Sequence, residues 1–222
     1  MSADLSIYLV TNTSQATAAG HDLTDLVAAA VAGGVTAVQV REKEADAGEF
    51  LDTVLKVAAV LPEPVALFVN DRVDVFLAAR GAGARVTGVH VGQQDLPVAA
   101  VRELVGPDAL IGLTANTPAE LFAAGREVCR VDYVGIGSVH ATASKSDAAP
   151  ALGVAGFAGM AGSTFLPTVA IGGVTAADVA GLRAAGAAGV AVISAICAAP
   201  DPRAAAVRLA RAWAAAAAAA AV

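Results

Sequence analysis

The chain has 222 residues, of which 57% are hydrophobic and only 4% aromatic, and its formal net charge is −6 at pH 7. This length suits one α/β domain of barrel size, and the acidic balance argues against a general nucleic-acid or membrane-surface binder, because nothing supplies a basic field. Cys129 and Cys197 lie far apart without metal-ligand spacing, which indicates core residues in a reduced, cytoplasmic protein. Any anionic ligand must therefore be bound by a local group of cations.

Eight short runs rich in Val and Ile recur at fairly even intervals and predict strands at 6–11, 36–40, 65–70, 88–92, 109–114, 132–137, 167–173 and 189–194. Segments of helical character lie between them, at 22–33, 47–60, 71–80, 97–105, 117–126, 152–160 and 175–185. A final helix is expected from about Asp201, so that 201–222 forms an Ala-rich C-terminal helix. Alternating units with near-continuously apolar strands predict a single-domain (β/α)8 TIM barrel over 1–222, with an open doubly wound sheet as the alternative.

Three segments carry helix-start residues, and one loop stands out. Asp22 or Thr24 suits the first helix, Thr117 with Glu120 has capping-box spacing, and Thr175 with Asp178 has a similar spacing. These residues need no function. The longest polar, small-residue segment is 138–150, which follows the sixth strand directly and is a candidate functional loop.

Polar residues follow nearly every predicted strand at its carboxyl end, where a barrel of this kind builds its active face. After the second strand, Gln39, Arg41 and Lys43 are spaced by two and share one face of an extended backbone. The corresponding residues after the other strands are Asn70, Asp71, Asp95, Thr114, Thr142, Ser144, Lys145, Gly172, Gly173 and Ser194. Each has an ordinary structural explanation when taken alone, and a structural role is expected for His90 and His140. The combination predicts a single functional mouth.

The residue types at this mouth favour two anion sites. Gly172-Gly173 and Ile193-Ser194 occupy the place where many barrels bind a phosphate through backbone N–H groups and a short helix N-terminus. Asp71 and Asp95 follow neighbouring strands and suit a Mg²⁺ ion that keeps several waters and takes further ligands from substrate phosphates. Arg41 and Lys43 add the positive charge that a diphosphate requires.

With these residues in place, the sequence resembles the thiamine phosphate synthase family from about Ile7 to Asp201. The resemblance lies in an ordered series of blocks, "QVREK", "ND" at 70–71, "HVGQQD", "IGLTANT", "DYVGIG", "ATASK", "AIGG" and "VISAI". It implies that Gln39, Arg41, Lys43 and Asn70 contact an aminopyrimidine diphosphate, and that Asp71 and Asp95 bind Mg²⁺. It implies further that Thr142, Ser144, Gly173, Ile193 and Ser194 hold a thiazole phosphate, while Thr114 borders the reacting centre and Lys145 reaches the pyrimidine and its diphosphate.

The family chemistry is a dissociative substitution. Diphosphate leaves the pyrimidine methylene, and the thiazole nitrogen captures the resulting cation to give thiamine phosphate, so no side-chain nucleophile is needed. Arg41, Lys43, Thr114 and Lys145 are the residues expected to act in catalysis, with Mg²⁺ as cofactor. The chain departs from the family at four places: Thr114 replaces Ser, Ser138 replaces Pro, His140-Ala141 replaces an aromatic-Pro pair, and Ser144 replaces Thr.

Three other functions compete with this one. A thiazole tautomerase would bind the thiazole phosphate alone and would not need the joint set Arg41, Lys43, Asn70, Asp71 and Asp95. A catalytically silent regulatory barrel would be expected to have lost its metal ligands. A Schiff-base aldolase using Lys43 or Lys145 is disfavoured because neither lysine has apolar surroundings that would lower its pKa.

The expected partners are phosphorylated small molecules, with no nucleic acid and no membrane. The sequence leaves four matters open: the oligomeric state, a homo-oligomer included; the kinetic competence of this variant loop; the thiazole tautomer that is used; and closure of loop 138–150 over substrate.

Overall fold

A computed structural model describes residues 3–127, 130–142 and 151–220. Eight parallel strands form a closed barrel in sequence order, in which each strand pairs with the next and the eighth pairs with the first. They are β1 (Ile7–Val10), β2 (Ala37–Val40), β3 (Ala66–Asn70), β4 (Gly88–Val91), β5 (Leu110–Thr114), β6 (Tyr133–Ile136), β7 (Thr168–Ile171) and β8 (Gly189–Val192). The barrel prediction is confirmed, and the open sheet was the wrong alternative.

Helices follow the strands and cover the barrel. They are α1 (Thr13–Ala18), α2 (Leu23–Ala32), α3 (Ala47–Val60), α4 (Val73–Gly81), α5 (Val98–Val105), α6 (Pro118–Gly125), α7 (Gly153–Ala161), α8 (Val179–Ala184), α9 (Ser194–Cys197) and α10 (Pro202–Ala220). Two of them, α1 and α9, were not among the predicted helices. Both are short additions to the mouth, and neither carries the apolar periodicity by which a longer helix is recognised.

Helix starts use the expected side chains at two of three places. The Asp22 carboxylate accepts from the N–H groups of Thr24 and Asp25 at 2.8 and 3.2 Å, and Thr117 with Glu120 forms a reciprocal capping box. The third expectation was wrong in its boundary, because α8 begins only at Val179. Asp178 instead accepts from the Thr175 N–H at 2.8 Å within the preceding turn.

The strand interiors are buried, and large rings fill the centre of the barrel. The rings of Tyr8, Phe68 and Tyr133 meet there, with 5.5 Å between the centroids of Phe68 and Tyr133. Gly112 lies beside Tyr133 in the strand register, and a Cβ at Gly112 would collide with the Tyr133 ring and with His90. The glycine of "LIGLT" thus makes room for two polar rings inside the barrel.

The C-terminal helix α10 closes the outer layer by packing on α2 and α8. The Arg183 guanidinium lies 4.4 Å from the Trp213 ring centroid and donates to the Trp213 carbonyl at 3.0 Å, which fixes α10 against α8. Among the described residues, no helix has both the length and the apolar character that crossing a membrane requires.

Candidate active site at the carboxyl ends of the strands

The carboxyl ends of the strands surround a cavity of about 360 Å³. Most of the predicted site residues line this one cavity: Gln39, Arg41, Lys43, Asn70, Asp71, Asp95, Thr114, Thr142, Gly172, Gly173, Ile193 and Ser194. Ser144 and Lys145 lie outside the described residues. The single mouth inferred from strand-end polarity is therefore formed, because parallel strands in a barrel all end at the same rim.

The second strand supplies the cationic wall. Gln39 and Arg41 are buried at 4% and 8% exposure, and the Arg41 N–H donates to the hydroxyl of fully buried Thr11 at 3.0 Å. Glu42 faces away and accepts a hydrogen bond from the Thr13 hydroxyl on α1. Among residues 3–127, 130–142 and 151–220, no ion pair within 4.0 Å involves Arg41 or Lys43. A buried guanidinium kept from protein carboxylates is suited to an anionic ligand.

Two carboxylates face each other on the neighbouring side of the mouth. Asp71 follows β3 with a left-handed φ of 60°, and its N–H donates to the His90 carbonyl at 2.8 Å. The Asp95 carboxylate accepts from the Gly92 N–H at 2.7 Å and shares a hydrogen bond with Asp71. Burial, and then the charge of Asp95, raises the pKa of Asp71 to about 6. The pair therefore competes for a proton, and a cation between the two carboxylates would relieve that competition.

These two carboxylates fit Mg²⁺ in donor type. Both offer hard oxygen ligands, and within the described part of the chain no group of three or more His, Cys, Asp or Glu side chains is placed to hold a metal. Mg²⁺ is commonly held by one or two carboxylates while waters and substrate phosphates complete its shell. A pair without a third protein ligand thus suits an ion that arrives with, or is completed by, a phosphorylated substrate.

Opposite this wall, the chain turns sharply after β7. Gly172 and Gly173 have positive φ angles of 94° and 65°. A Cβ on Gly172 would lie 2.7 Å from the Ser138 side chain, and one on Gly173 would lie 2.8 Å from the His140 Cβ. Glycine is required at both positions because the loop after β6 packs directly against this backbone. The result is a bare backbone surface facing the cavity.

His140 fastens these two loops together. Its N–H donates to the Gly172 carbonyl at 2.8 Å, and its Nε2 lies 2.8 Å from the Asp178 carboxylate, which also accepts from the Thr175 N–H and hydroxyl, each at 2.8 Å. Burial alone would raise the pKa of Asp178, but the hydrogen bonds from His140 and Thr175 outweigh burial and lower it. The contact of His140 is thus structural, as expected from the sequence.

The floor of the cavity is a chain of hydrogen bonds that the sequence analysis missed. The Gln39 amide donates to the Tyr8 hydroxyl at 3.0 Å, and the Tyr8 and Tyr133 hydroxyls lie 2.8 Å apart. His90 joins the Tyr133 hydroxyl at 3.0 Å through Nδ1 and the Thr114 hydroxyl at 2.9 Å through Nε2. Burial raises the pKa of both tyrosines well above 10, so both hydroxyls stay protonated. Thr114 is thereby held in a defined position beside the cavity.

His90 was expected to be structural, and the structure adds that its ring lines the cavity. The position of His90 in its strand could have indicated this, because the register pairs His90 with Asn70, which was predicted to face the mouth from its place at a strand end. Further residues of the lining were also missed. Gln93 donates to the Thr114 carbonyl at 2.7 Å, and Asn116 accepts from the Gly137 N–H at 3.1 Å, so that both support the strand ends from within the mouth.

Comparison with known proteins gives consistent results. The family described as thiamine monophosphate synthase matches residues 7–196. The chain is 48% identical over 203 residues to the thiamine-phosphate synthase of Laribacter hongkongensis, covering 90% of this chain and 92% of that protein. It is 46% identical over 199 residues to that of Azorhizobium caulinodans, covering 89% and 90%. Among solved structures, a thiamine phosphate pyrophosphorylase from Pyrococcus furiosus is similar, with a TM-score of 0.83, 31% identity, and coverage of 96% of this chain and 97% of that one.

Proposed function

Because the chain belongs to the thiamine monophosphate synthase family, we propose that it joins 4-amino-2-methyl-5-(diphosphooxymethyl)pyrimidine to a thiazole phosphate, or to its carboxylated tautomer, giving thiamine phosphate and diphosphate. That it is a transferase of thiamine biosynthesis follows from its relatives. The observation that carries the finer proposal is the arrangement of the cavity. A cationic wall with a carboxylate pair stands on one side, and a bare glycine backbone stands on the other. This arrangement suits a diphosphate and a monophosphate bound in one cavity.

The proposed pyrimidine subsite lies between the second, third and fourth strands. Gln39 and Asn70 are buried polar residues at this wall and would hydrogen-bond the aminopyrimidine. Arg41 and Lys43 would bind its diphosphate, and Lys145 is assigned to the same group by the resemblance alone. Asp71 and Asp95 would hold Mg²⁺, which when bound neutralises charge on the diphosphate.

The proposed thiazole subsite lies across the cavity. Gly173 and the Ile193-Ser194 pair would offer backbone N–H groups to the phosphate, and Thr142 would add its side chain. Ser144 belongs to this set by the resemblance. With the two anionic groups bound at opposite walls, the pyrimidine methylene and the thiazole nitrogen would meet between them, near Thr114.

The proposed reaction breaks the bond between the pyrimidine methylene and the diphosphate oxygen, and the bonding electrons leave with diphosphate. The lone pair of the thiazole nitrogen then forms the new C–N bond. Arg41 and Lys43 stabilise the negative charge that develops on the leaving group, and Arg41 acts more strongly because it is buried. The Tyr8-Tyr133-His90 chain fixes Thr114 at the reacting centre and keeps that wall ordered. The cation reacts with thiazole rather than water because the thiazole is already bound in line.

The tautomerase alternative is disfavoured by the same wall, since a thiazole phosphate alone leaves Arg41, Lys43 and the carboxylate pair without a ligand. A cytoplasmic location is part of the proposal. Cys197 is a buried free thiol whose pKa burial raises to about 11, so it is a core residue and takes no part in the proposed chemistry. Phosphorylated small molecules are the proposed partners, without nucleic acid or membrane.

The decisive experiment mixes the purified protein with both substrates and Mg²⁺ and measures thiamine phosphate. Asp95→Asn should lower turnover by roughly 10- to 100-fold and raise the Mg²⁺ concentration that is needed, because one of two metal ligands loses its charge. Glu44→Gln is the matched control, since Glu44 is an exposed carboxylate beside Lys43 that does not line the cavity. No product from the wild-type protein would reject the synthase assignment, and an unchanged Mg²⁺ requirement in Asp95→Asn would reject the metal assignment.

A further inference from the structure

Ser138 places a hydroxyl group in the wall of the cavity at the carboxyl end of β6. The residue is 7% exposed, and its backbone is fixed because its carbonyl accepts from the Leu152 N–H at 2.8 Å. Within residues 3–127, 130–142 and 151–220, the structure gives the Ser138 hydroxyl no hydrogen bond. The oxygen is not one of the fully buried side-chain atoms that lack a partner among the described residues, so it is open to the cavity that Ser138 lines. A hydroxyl in a cavity wall that makes no hydrogen bond to the described residues is available to a ligand.

The neighbours of Ser138 indicate which ligand. A Cβ built on Gly172 would lie 2.7 Å from the Ser138 Oγ, so this oxygen lies within about 4.2 Å of the Gly172 Cα. Gly172 and Gly173 form the bare backbone surface of the thiazole side, and Thr142 lines the cavity near them. The carboxylate pair Asp71 and Asp95 belongs to the opposite wall. The hydroxyl is thus on the monophosphate side of the cavity.

We propose that Ser138 is a further substrate-binding residue, whose hydroxyl donates a hydrogen bond to the phosphate of the thiazole substrate beside Gly172. This inference rests on the proposed function, because it assigns the substrate of that site. A hydroxyl can turn its O–H toward a phosphate oxygen, and such charge-assisted hydrogen bonds are the strong ones.

The test is Ser138→Ala, which removes the hydroxyl and keeps the backbone. We expect the KM for thiazole phosphate to rise about 5- to 20-fold, while kcat and the KM for the pyrimidine diphosphate stay within about twofold. The dissociation constant of thiazole phosphate, measured by calorimetry without the pyrimidine, should rise by the same factor. The melting temperature should not fall, because no described protein group loses a hydrogen bond.

Two controls separate hydrogen bonding from packing. Ser138→Cys keeps a similar shape with a weak donor and should behave like Ser138→Ala. Ser163→Ala makes the same chemical change at the opposite end of the barrel, where the Ser163 hydroxyl donates to the Met160 carbonyl at 2.7 Å. It should alter no kinetic constant.

Each alternative outcome overturns the proposal. An unchanged KM for thiazole phosphate would show that the hydroxyl binds no substrate, and a shift in the pyrimidine KM alone would place it in the other subsite. A lower melting temperature with both KM values raised would assign Ser138 a packing role. The proposed function itself is tested separately: if the wild-type protein forms no thiamine phosphate, the synthase assignment is rejected.

Discussion

Two buried charged groups at opposite ends of the barrel, Asp132 and Arg41, have opposite surroundings. At the amino end, the Asp132 carboxylate accepts from the Ile111 N–H at 2.9 Å and pairs with Arg102 at 3.1 Å and Arg130 at 2.9 Å. Arg102 also donates to the carbonyls of two further residues, Gly106 and Ala109. At the carboxyl end, by contrast, Arg41 has no ion pair with the described residues.

The difference in ion pairing indicates a structural role for Asp132 and a ligand-binding role for Arg41. Removing one partner of a buried ion pair destabilises the protein because it leaves the other charge unpaired, whereas charges kept apart from protein partners can bind a ligand. The Asp71 and Asp95 pair is the clearest case, since two like charges face each other and burial raises the pKa of Asp71 to about 6. Such an arrangement costs folding free energy and is expected where a cation and anionic substrates bind.

The largest expected effect comes from removing the buried cation of the mouth. Arg41→Gln should lower kcat/KM by about 100- to 1000-fold, because a desolvated guanidinium no longer stabilises the leaving diphosphate. Its melting temperature should stay the same or rise, since Arg41 has no ion pair among the described residues and its burial is unfavourable. Steady-state kinetics and thermal unfolding of the same preparation measure both.

Arg208→Gln is the control, an equal change of charge on the exposed face of α10. It should leave both quantities unchanged. The comparison between the two ends fails if Arg41→Gln unfolds the protein while retaining its activity per folded molecule.

A substitution at the amino end should have the opposite effect, a loss of stability without a loss of activity. Asp132→Asn should lower stability by about 2–3 kcal/mol, or about 5–10 °C in melting temperature, because two guanidinium groups lose the charge of a carboxylate whose side chain is only 8% exposed. Kinetic constants at 25 °C should remain within about twofold of the wild type. Chemical denaturation gives the stability change, with Asp74→Asn in the exposed Arg72 pair as a control expected to cost less than about 1 kcal/mol. If Asp132→Asn is fully folded at 25 °C and still has altered kinetic constants, the proposed contrast between a stabilising amino end and a ligand-binding carboxyl end is contradicted.

The fold was largely predictable from sequence because the apolar runs and their spacing determine a barrel. All eight strands lie within or close to the predicted ranges, and the last helix begins one residue after Asp201. The helices that were not predicted are short. α1 has six residues and α9 has four, and both depend on their place at the mouth. Helix α8 starts late because Asp178 forms a turn with Thr175 in place of a cap.

The cavity lining was predictable at the carboxyl ends of the strands and obscure in the strand interiors. Gln39, Arg41 and Lys43 were predicted because their spacing of two shows a shared face that begins within β2 and continues past its end. Tyr8 and Tyr133 were missed because barrel strands are buried on both faces, so alternation of polarity gives no direction. Only the closed register, which sets Gly112 beside Tyr133, reveals that their hydroxyls line the floor.

The smallest predicted effect tests the cost of the carboxylate pair. In buffer containing EDTA, Asp71→Asn should be more stable than the wild type at pH 8 by on the order of 1–2 kcal/mol, allowing for partial exposure. The folded pKa of Asp71, about 6, lies above its ordinary value of 3.8, so the folded protein binds this proton more tightly than the unfolded chain. The destabilisation is therefore complete above about pH 6, declines as the pH falls toward 4, and is absent below it. Asparagine also tolerates the left-handed backbone at this position.

Thermal unfolding of both proteins between pH 4 and 8 measures the difference directly. The two curves should converge near pH 4 and separate above pH 6. Adding Mg²⁺ at pH 8 should then raise the melting temperature of the wild type and close the gap, with little effect on Asp71→Asn, because a ligand that binds the folded state stabilises it. A difference that does not vary with pH would mean that the buried charge of Asp71 is not its source. In that case the carboxylate pair would not reduce the stability of the folded protein, and the contrast between the two ends would depend on Arg41 alone.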